Sequence, residues 1–504
     1  MGTVLVIDFG SQYTHLIARR IRQLNVYSEV VEATMATPED LDVDAVILSG
    51  GPSSVYDKGA PKNDVLLNAL VERNIPTLGI CYGMHLLTYS LGGKVTRGNK
   101  EYGISQMKIS EDPIFKGLEE FQRVWMSHGD SLEKLPEGFR IIATSDRAPA
   151  AIRHAQKNIY AFQFHPEVNH TENGLKILDN FLDIYGISRD WNMEDFIDAS
   201  LEKIKAQVGD EKAVIALSGG VDSSVCATLT AKAIGKNLFA VFVDHGLLRK
   251  GERQFVKEKF ENMLNLKIVD AKDRFFERLA GVVDPEMKRK IIGNEFIRIF
   301  EEEARTIGAR YLVQGTIYPD VIESGSTKNA DVIKSHHNVG GLPDTLDFTG
   351  LIEPLRELYK DEVRVLGDKL GMPEEIVFQH PFPGPGLAVR ITGPVNDENI
   401  HIVREASAIL DEELRGAGIY DSVWQSFAIL FEDRVVGVVG DQRKYGRFVG
   451  LRVVQSVDAM TANFVKLPWE VLEKVSTRIT NELEDVVAVS YFVSHKPPQT
   501  IEPC

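Results

Sequence analysis

Residues 77–84, Thr77-Leu78-Gly79-Ile80-Cys81-Tyr82-Gly83-Met84, pass from a short apolar run straight into a helical stretch that continues to Leu91. The sequence before them repeats this grammar. Residues 4–8 form an apolar run ending at Gly10-Ser11, followed by Leu16, Ile17 and Ile21 at helical spacing. Residues 45–48 form another and end in Ser49-Gly50-Gly51-Pro52. Strands alternating with helices predict a mainly parallel sheet covered on both faces. Such sheets place their chemistry at the C-terminal ends of the strands. That rule points to Gly10-Ser11, Gly50-Gly51 and Cys81.

Cys81 sits at a strand–helix junction with Gly79 and Gly83 two residues away on either side. The glycines permit a sharp turn that lifts the sulfur out of the sheet. The helix N-terminus behind it favours thiolate over thiol. The N–H after the nucleophile is then free for an oxyanion, and Gly50-Gly51 could supply a second donor. A thiol nucleophile needs a base. Phe162-Gln163-Phe164-His165-Pro166-Glu167 offers His165, with Glu167 two residues on to orient it. A lone cysteine is more often a small core residue. The pairing of Gly-x-Cys-x-Gly with a downstream His-x-Glu makes Cys81, His165 and Glu167 a catalytic set.

GICYGM, FQFHPE, SGGPSS and DFGSQYT resemble the class I glutamine amidotransferase family. The resemblance implies that Cys81 attacks the glutamine side-chain amide, that His165 and Glu167 assist, and that ammonia leaves from a glutamyl thioester. It further implies Gly51 and Tyr82 as oxyanion donors, with residues 127–130, Ser-His-Gly-Asp, helping to hold glutamine. One position departs from the pattern, because the family usually carries glutamine where this chain has His85.

After residues 186–191, which read as a connector, and an amphipathic helix over 193–208, a second alternating series begins. Residues 213–217 lead into Ser218-Gly219-Gly220-Val221-Asp222-Ser223-Ser224 and then a helix. Two glycines let backbone approach phosphate, and hydroxyls and helix N–H groups bind its oxygens. There is no G-K-[ST], so this is not a Walker loop. SGGVDSS is similar to the signature of the PP-loop ATP pyrophosphatases. By that resemblance residues 218–224 hold the β,γ-pyrophosphate of ATP, Val243 contacts the adenine, and Gly315 lies at the corresponding later strand end. Mg²⁺ accompanies the ATP, with Asp222 as a candidate metal ligand.

Residues 379–386, QHPFPGPG, hold three prolines and two glycines, which excludes helix and inner strand. They read as a boundary or a functional loop. Beyond them the pattern turns to α+β, with strands over 427–431, 435–439 and 486–493 and helices over 400–414 and 468–483. Residues 333–343, KSHHNVGGLP preceded by Ile333, read as a mobile lid or substrate loop. His336 and His337 have no third ligand at useful spacing.

KSHHNVGGLP, PFPGPGL and KPPQTIE resemble the glutamine-hydrolysing GMP synthetase family, which then covers nearly the whole chain in order. The implied fold class is α/β: a flavodoxin-like amidotransferase domain over 1–187, a doubly wound PP-loop domain over 191–380, and a smaller C-terminal α+β domain over 381–504. The implied reaction takes XMP, ATP, glutamine and water to GMP, AMP, pyrophosphate and glutamate, through XMP adenylated on its 2-oxygen. Lys334, Lys496, Ile501 and Glu502 are the implied substrate-binding residues, and a homodimer through the C-terminal domain is implied. Three further positions depart from the family. Gln379 and Ala488 stand where arginine is common, and the tail closes with Pro503-Cys504. Losing these phosphate-binding arginines would weaken XMP affinity or shift the burden to Arg478 or Arg390.

The 504 residues hold 57 Lys+Arg against 73 Asp+Glu, a net charge of −16 that is spread evenly. No segment has the basic excess of a nucleic-acid or anionic-membrane binder, so neither is expected as a partner. A composition of 43% hydrophobic and 26% charged residues is the globular mix. Three cysteines cannot build a disulfide framework in a chain of this size, which fits a reducing compartment. No basic segment precedes the first apolar run, and no run approaches the ~20 residues of a membrane span. A cytoplasmic protein is expected. Two other readings stay open: a related ligase acting on another carbonyl acceptor, and a nucleotide-binding regulatory protein without turnover. Product analysis separates the first. The intact Cys81, His165 and Glu167 set argues against the second, since a binder needs no thiolate.

Overall fold

A strand whose every residue is buried belongs inside a sheet covered on both faces. Three four-residue strands of the first 192 residues are of this kind. The computed structural model describes residues 2–325, 348–456 and 461–503. It divides into two units, Met1–Asn192 and Met193–Cys504.

The strands of the first unit are β1 (Thr3–Asp8), β2 (Tyr27–Glu32), β3 (Ala45–Leu48), β4 (Thr77–Ile80), β5 (Lys94–Ile109), β6 (Phe121–Lys134), β7 (Phe139–Ser145), β8 (Pro149–His154) and β9 (Ile159–Phe162). Its helices are α1 (Thr14–Gln23), α2 (Asp64–Glu72), α3 (Tyr82–Ser90) and α4 (Gly174–Ile184). The sheet order is β2-β1-β3-β4-β9-β8-β7-β5-β6. From β2 to β9 the neighbours are parallel; from β9 outward they are antiparallel. The parallel expectation therefore describes only the half from β2 to β9. β6 alternates buried and exposed residues, the pattern of a strand with one solvated face, and no helical crossover is needed to reach it. Leu5, Ile7, Val46 and Leu48 pack with Leu66, Leu70 and Leu87 in one core.

The second unit opens with α5 (Met193–Val208), β10 (Ala213–Ala216), α6 (Val221–Ile234), β11 (Leu238–Asp244), α7 (Glu252–Phe260), β12 (Asn265–Asp270), α8 (Lys272–Leu279), α9 (Pro285–Ile307), β13 (Tyr311–Val313), α10 (Tyr318–Gly325) and β14 (Gly350–Ile352). Its five strands are all parallel, in the order β12-β11-β10-β13-β14. There follow α11 (Lys360–Lys369), α12 (Glu374–Val377), α13 (Asp397–Gly416), β15 (Gln425–Val439), β16 (Gln442–Ser456), β17 (Ala462–Phe464), α14 (Trp469–Glu482) and β18 (Val486–Tyr491). β16 is the centre of this last sheet, pairing with β15, β17 and β18. Residues 427–431 and 435–439 are one strand with a bulge between Phe431 and Arg434.

Val214, Val241 and Leu312 of the parallel sheet share one core with Leu410 of α13, Leu451 of β16 and Ile479 of α14. The boundary expected near 380 falls inside this shared core. The stretch that follows the proline-rich segment lines it, since Leu387, Ala388 and Ile391 belong to it. Its end is pinned by Lys288 of α9, which is fully buried and donates to the carbonyls of Ile391 (2.6 Å), Gly393 (2.7 Å) and Ala388 (3.3 Å). A buried ammonium is tolerated only where its protons are met. Lys288→Met is expected to leave these carbonyls unmet and to destabilise the second unit by about 2–4 kcal/mol. Urea unfolding reads this; an unchanged midpoint would contradict it.

Candidate active sites

The Cys81 elbow is built by close packing. Cys81 adopts φ +52°, which L-residues rarely take, at the N-cap of α3. A Cβ on Gly83 would lie 2.4 Å from the Leu48 carbonyl oxygen, and one on Gly79 would lie 2.8 Å from Gly83 backbone. Both positions need glycine so that α3 can start directly on the sheet. The Cys81 N–H donates to Phe162 O (2.7 Å) and the Gly83 N–H to Ser49 O (3.0 Å), fixing the turn to β9 and β3.

His165 lies beside the thiol. Its Nδ1 is 2.7 Å from Glu167 Oε1, both side chains are buried, and the edge of Tyr13 meets the ring at 5.2 Å. Burial opposes charge on the ring. Glu167 and the Cys81 thiol outweigh it and hold the His165 pKa well above its ordinary 6.5. The Glu167 main chain is fixed by Arg20, whose Nε donates to its carbonyl at 2.9 Å. Gly51 follows β3 and packs on Phe9 and Tyr82. The Tyr82 N–H belongs to the first turn of α3, whose amides have no intrahelical acceptor. Ser127 O is 3.5 Å from Cys81 Sγ, and Asp130 Oδ2 accepts from Ser54 Oγ at 2.5 Å. Cys81, His165, Glu167 and the 127–130 segment thus meet at one end of the sheet.

A raised imidazole pKa sets a sign. If turnover needs the imidazolium, activity falls as pH rises through the His165 pKa. Glu167→Gln removes the carboxylate that holds that pKa up, so the alkaline limb of activity at this site is expected to move down by about one unit or more. An unmoved limb would show that Glu167 does not act through His165.

The second site lies at the C-terminal ends of β10, β11 and β13. Gly219 takes φ +79° as the chain turns from β10 into α6. Ser223 Oγ closes the turn, lying 2.9 Å from Ser218 Oγ and donating to Gly220 O at 3.1 Å. Val243 is buried near the end of β11, and Gly315, beyond β13, abuts the Asp222–Ser223 backbone. Asp222 Oδ2 pairs with Lys360 of α11, while its Oδ1 is buried with no partner. Among the described residues no group of three His, Cys, Asp or Glu could hold a metal. An orphaned carboxylate oxygen beside a phosphate loop suits a magnesium ion carried mainly by phosphate oxygens and water.

The tail is tied to the rest of its unit. Ile501 packs with Phe427, Ile429 and Val454. Lys496 exchanges backbone hydrogen bonds with Ala462. Glu502 receives Arg390 through two contacts, 2.9 and 3.1 Å, and Gln425 at 3.0 Å. Arg452, fully buried, donates to Ser494 O (2.7 Å) and Thr500 O (3.2 Å). Arg452 and Gln425 were not singled out in the sequence; an arginine inside an apolar strand was the available signal. Lys334 and residues 333–343 lie outside the described residues.

The departures acquire partners here. With its amide oriented to satisfy both neighbours, Gln379 donates to Gly219 O at 3.0 Å and accepts from Arg249 Nη1 at 2.7 Å. Ala488 sits on β18 opposite Phe448. Arg478 is engaged by Glu412, Glu413 and Glu482, and Arg390 by Glu502.

Three family models match the chain: glutamine amidotransferase class-I over residues 5–184, NAD synthase over 191–289, and GMP synthase C terminal domain over 412–503. A glutamine-hydrolyzing GMP synthase of Carboxydothermus hydrogenoformans is 54% identical over 512 residues, covering 99% of each chain. One from Bacillus cereus strain B4264 is 52% identical over 509 residues, covering 99% of this chain and 98% of that protein. Among solved structures, a GMP synthase subunit from Thermoplasma acidophilum is 31% identical, covers 37% of this chain and 94% of that one, and gives a TM-score of 0.33.

Proposed function

This chain belongs to the glutamine-hydrolysing GMP synthase family and makes GMP with glutamine as amido donor; from that premise we propose how its residues divide the work. The observation that carries the reading is the buried His165–Glu167 pair, 2.7 Å apart, beside a cysteine held at φ +52°. His165 takes the Cys81 proton and the thiolate attacks the side-chain carbonyl carbon of glutamine. The N–H groups of Gly51 and Tyr82 receive the oxyanion. Collapse breaks the C–N bond, the imidazolium protonates the departing nitrogen, and ammonia leaves a glutamyl thioester. Water, deprotonated by His165, then releases glutamate.

The 2-oxygen of XMP attacks the α-phosphorus of ATP, and pyrophosphate leaves. Residues 218–224 hold the pyrophosphate by backbone N–H and hydroxyl groups, with Val243 on the adenine and Gly315 beside the loop. Asp222 would hold Mg²⁺, which neutralises phosphate charge when bound. Ammonia adds at C2 and AMP departs with the oxygen that was adenylated. Lys334, Lys496, Ile501 and Glu502 bind XMP. Exposed Val436, Val438 and Tyr445 on the β15–β16 hairpin support a homodimer through this region. The protein works in the cytoplasm; among the described residues no helix is long and apolar enough to cross a membrane.

XMP labelled with ¹⁸O at its 2-oxygen tests the intermediate. The label should appear in AMP. Label released to water instead would reject adenylation.

A further inference from the structure

Cys81 Sγ has a neighbour that the thiol–imidazole chemistry leaves unused. Gln163 directly follows β9 and is fully buried. Its Nε2 lies 3.9 Å from Sγ, within the reach of the long hydrogen bonds that sulfur accepts. Its Oε1 lies 2.7 Å from Nε2 of His85. A carboxamide oxygen only accepts, so His85 Nε2 must carry the proton and donate it. With the oxygen engaged, the amide N–H groups are left for the sulfur. Turned over, the amide would set its oxygen against the sulfur, where a thiolate repels it, and would need the His85 proton on Nδ1 so that Nε2 could accept.

The helix places the ring. His85 lies in the first turns of α3, four residues after its N-cap Cys81, and the His85 N–H donates to Cys81 O at 3.1 Å. The ring stays neutral: burial pushes its pKa down to about 4 despite the opposing hydrogen bond with Gln163. His128 and Asp130 also face it, and their effects on its charge oppose each other. With the amide N–H groups toward the sulfur, the one proton of the neutral ring lies on Nε2.

We propose that His85 and Gln163 are positioning residues of the glutaminase site: His85 holds the Gln163 amide so that its N–H donates to the Cys81 sulfur and fixes it for attack. The proposal rests on Cys81 being the nucleophile. It gives His85 a role through Gln163 rather than a direct contact with glutamine.

The test follows alkylation of Cys81 by iodoacetamide against pH, without glutamine, read on the Cys81 peptide by mass spectrometry so that the other cysteines do not contribute. In Gln163→Leu the half-maximal pH should rise by about one unit, with labelling below it about tenfold slower. Glutaminase kcat should fall about tenfold while KM changes less than about threefold. His85→Phe should behave alike, and the double variant no worse than either single one, because both break one chain. His85→Gln, which can still donate to Oε1, should recover wild-type values within about threefold. If Gln163→Leu unfolds, the two His85 variants still decide the matter. An unmoved alkylation profile in His85→Phe, with a raised KM for glutamine, would overturn the proposal in favour of a substrate contact. Alkylation is read without turnover, so this failure is separate from that of the nucleophile assignment, which Cys81→Ala retaining glutaminase activity would show.

Discussion

Cys81→Ala is expected to reduce GMP formation from glutamine about a thousandfold or more while leaving GMP formation from ammonium near the wild-type rate. The size of the loss follows from the geometry. The side chain lifted by the φ +52° turn is the one group at the elbow that can attack an amide carbon. His165 is buried against Glu167, a placement suited to moving a proton and not to attack. The selectivity follows from the division of the chain. The phosphate loop belongs to the second unit, whose core contains none of the elbow residues. Free ammonia therefore replaces the missing product of the first site. Steady-state assays with each donor check this. A parallel loss with both donors would mean that Cys81 supports the fold and not the chemistry.

Asp222→Asn is expected to lower AMP and GMP formation with either donor by about a hundredfold or more, leaving basal glutamine hydrolysis intact. Asparagine keeps the shape of the side chain and removes its charge. A simpler account is available, since Asp222 pairs with Lys360 and its loss strands that ammonium. The double variant Asp222→Asn, Lys360→Met separates the two. If Asp222 only neutralises Lys360, the double variant should recover. The buried, unpartnered Oδ1 is the observation behind the proposal that Asp222 is a ligand of Mg²⁺, and on that proposal no recovery is expected. Recovery of ATP-dependent turnover would contradict that assignment.

Much of this architecture was legible because parallel strands advertise themselves. Short, largely apolar runs that lead into Ser49, Cys81 and Leu217-Ser218 gave β3, β4 and β10 and the loops after them. Short motifs then gave the residues, since the Cys81 elbow packs only with glycine at 79 and 83, and Gly219 takes the positive φ that turns the chain into α6 just before Asp222. The antiparallel half of the first sheet was not legible. β5 and β6 alternate in polarity and exchange bonds across a register with two shifts, which no local pattern signals. β16 was missed for another reason. Gly450 and Arg452 interrupt its apolar run, yet Arg452 is buried because Ser494 and Thr500 carbonyls meet it from a segment more than forty residues away. Gln163 and His85 show the same limit at the site. In sequence His85 is only a departure from the family pattern and Gln163 only part of FQFHPE; their meaning arises from an amide and a ring facing each other across the junction of β9 and α3.

Incubation of the wild-type protein with XMP, ATP, magnesium and glutamine labelled with ¹⁵N in its amide tests the central claim most directly. GMP carrying ¹⁵N on its 2-amino group should form in equal amounts with AMP and pyrophosphate, and no faster than glutamate. Unlabelled GMP, or GMP accompanied by ADP and phosphate instead of AMP and pyrophosphate, would contradict a cysteine glutaminase feeding an adenylating loop in one chain.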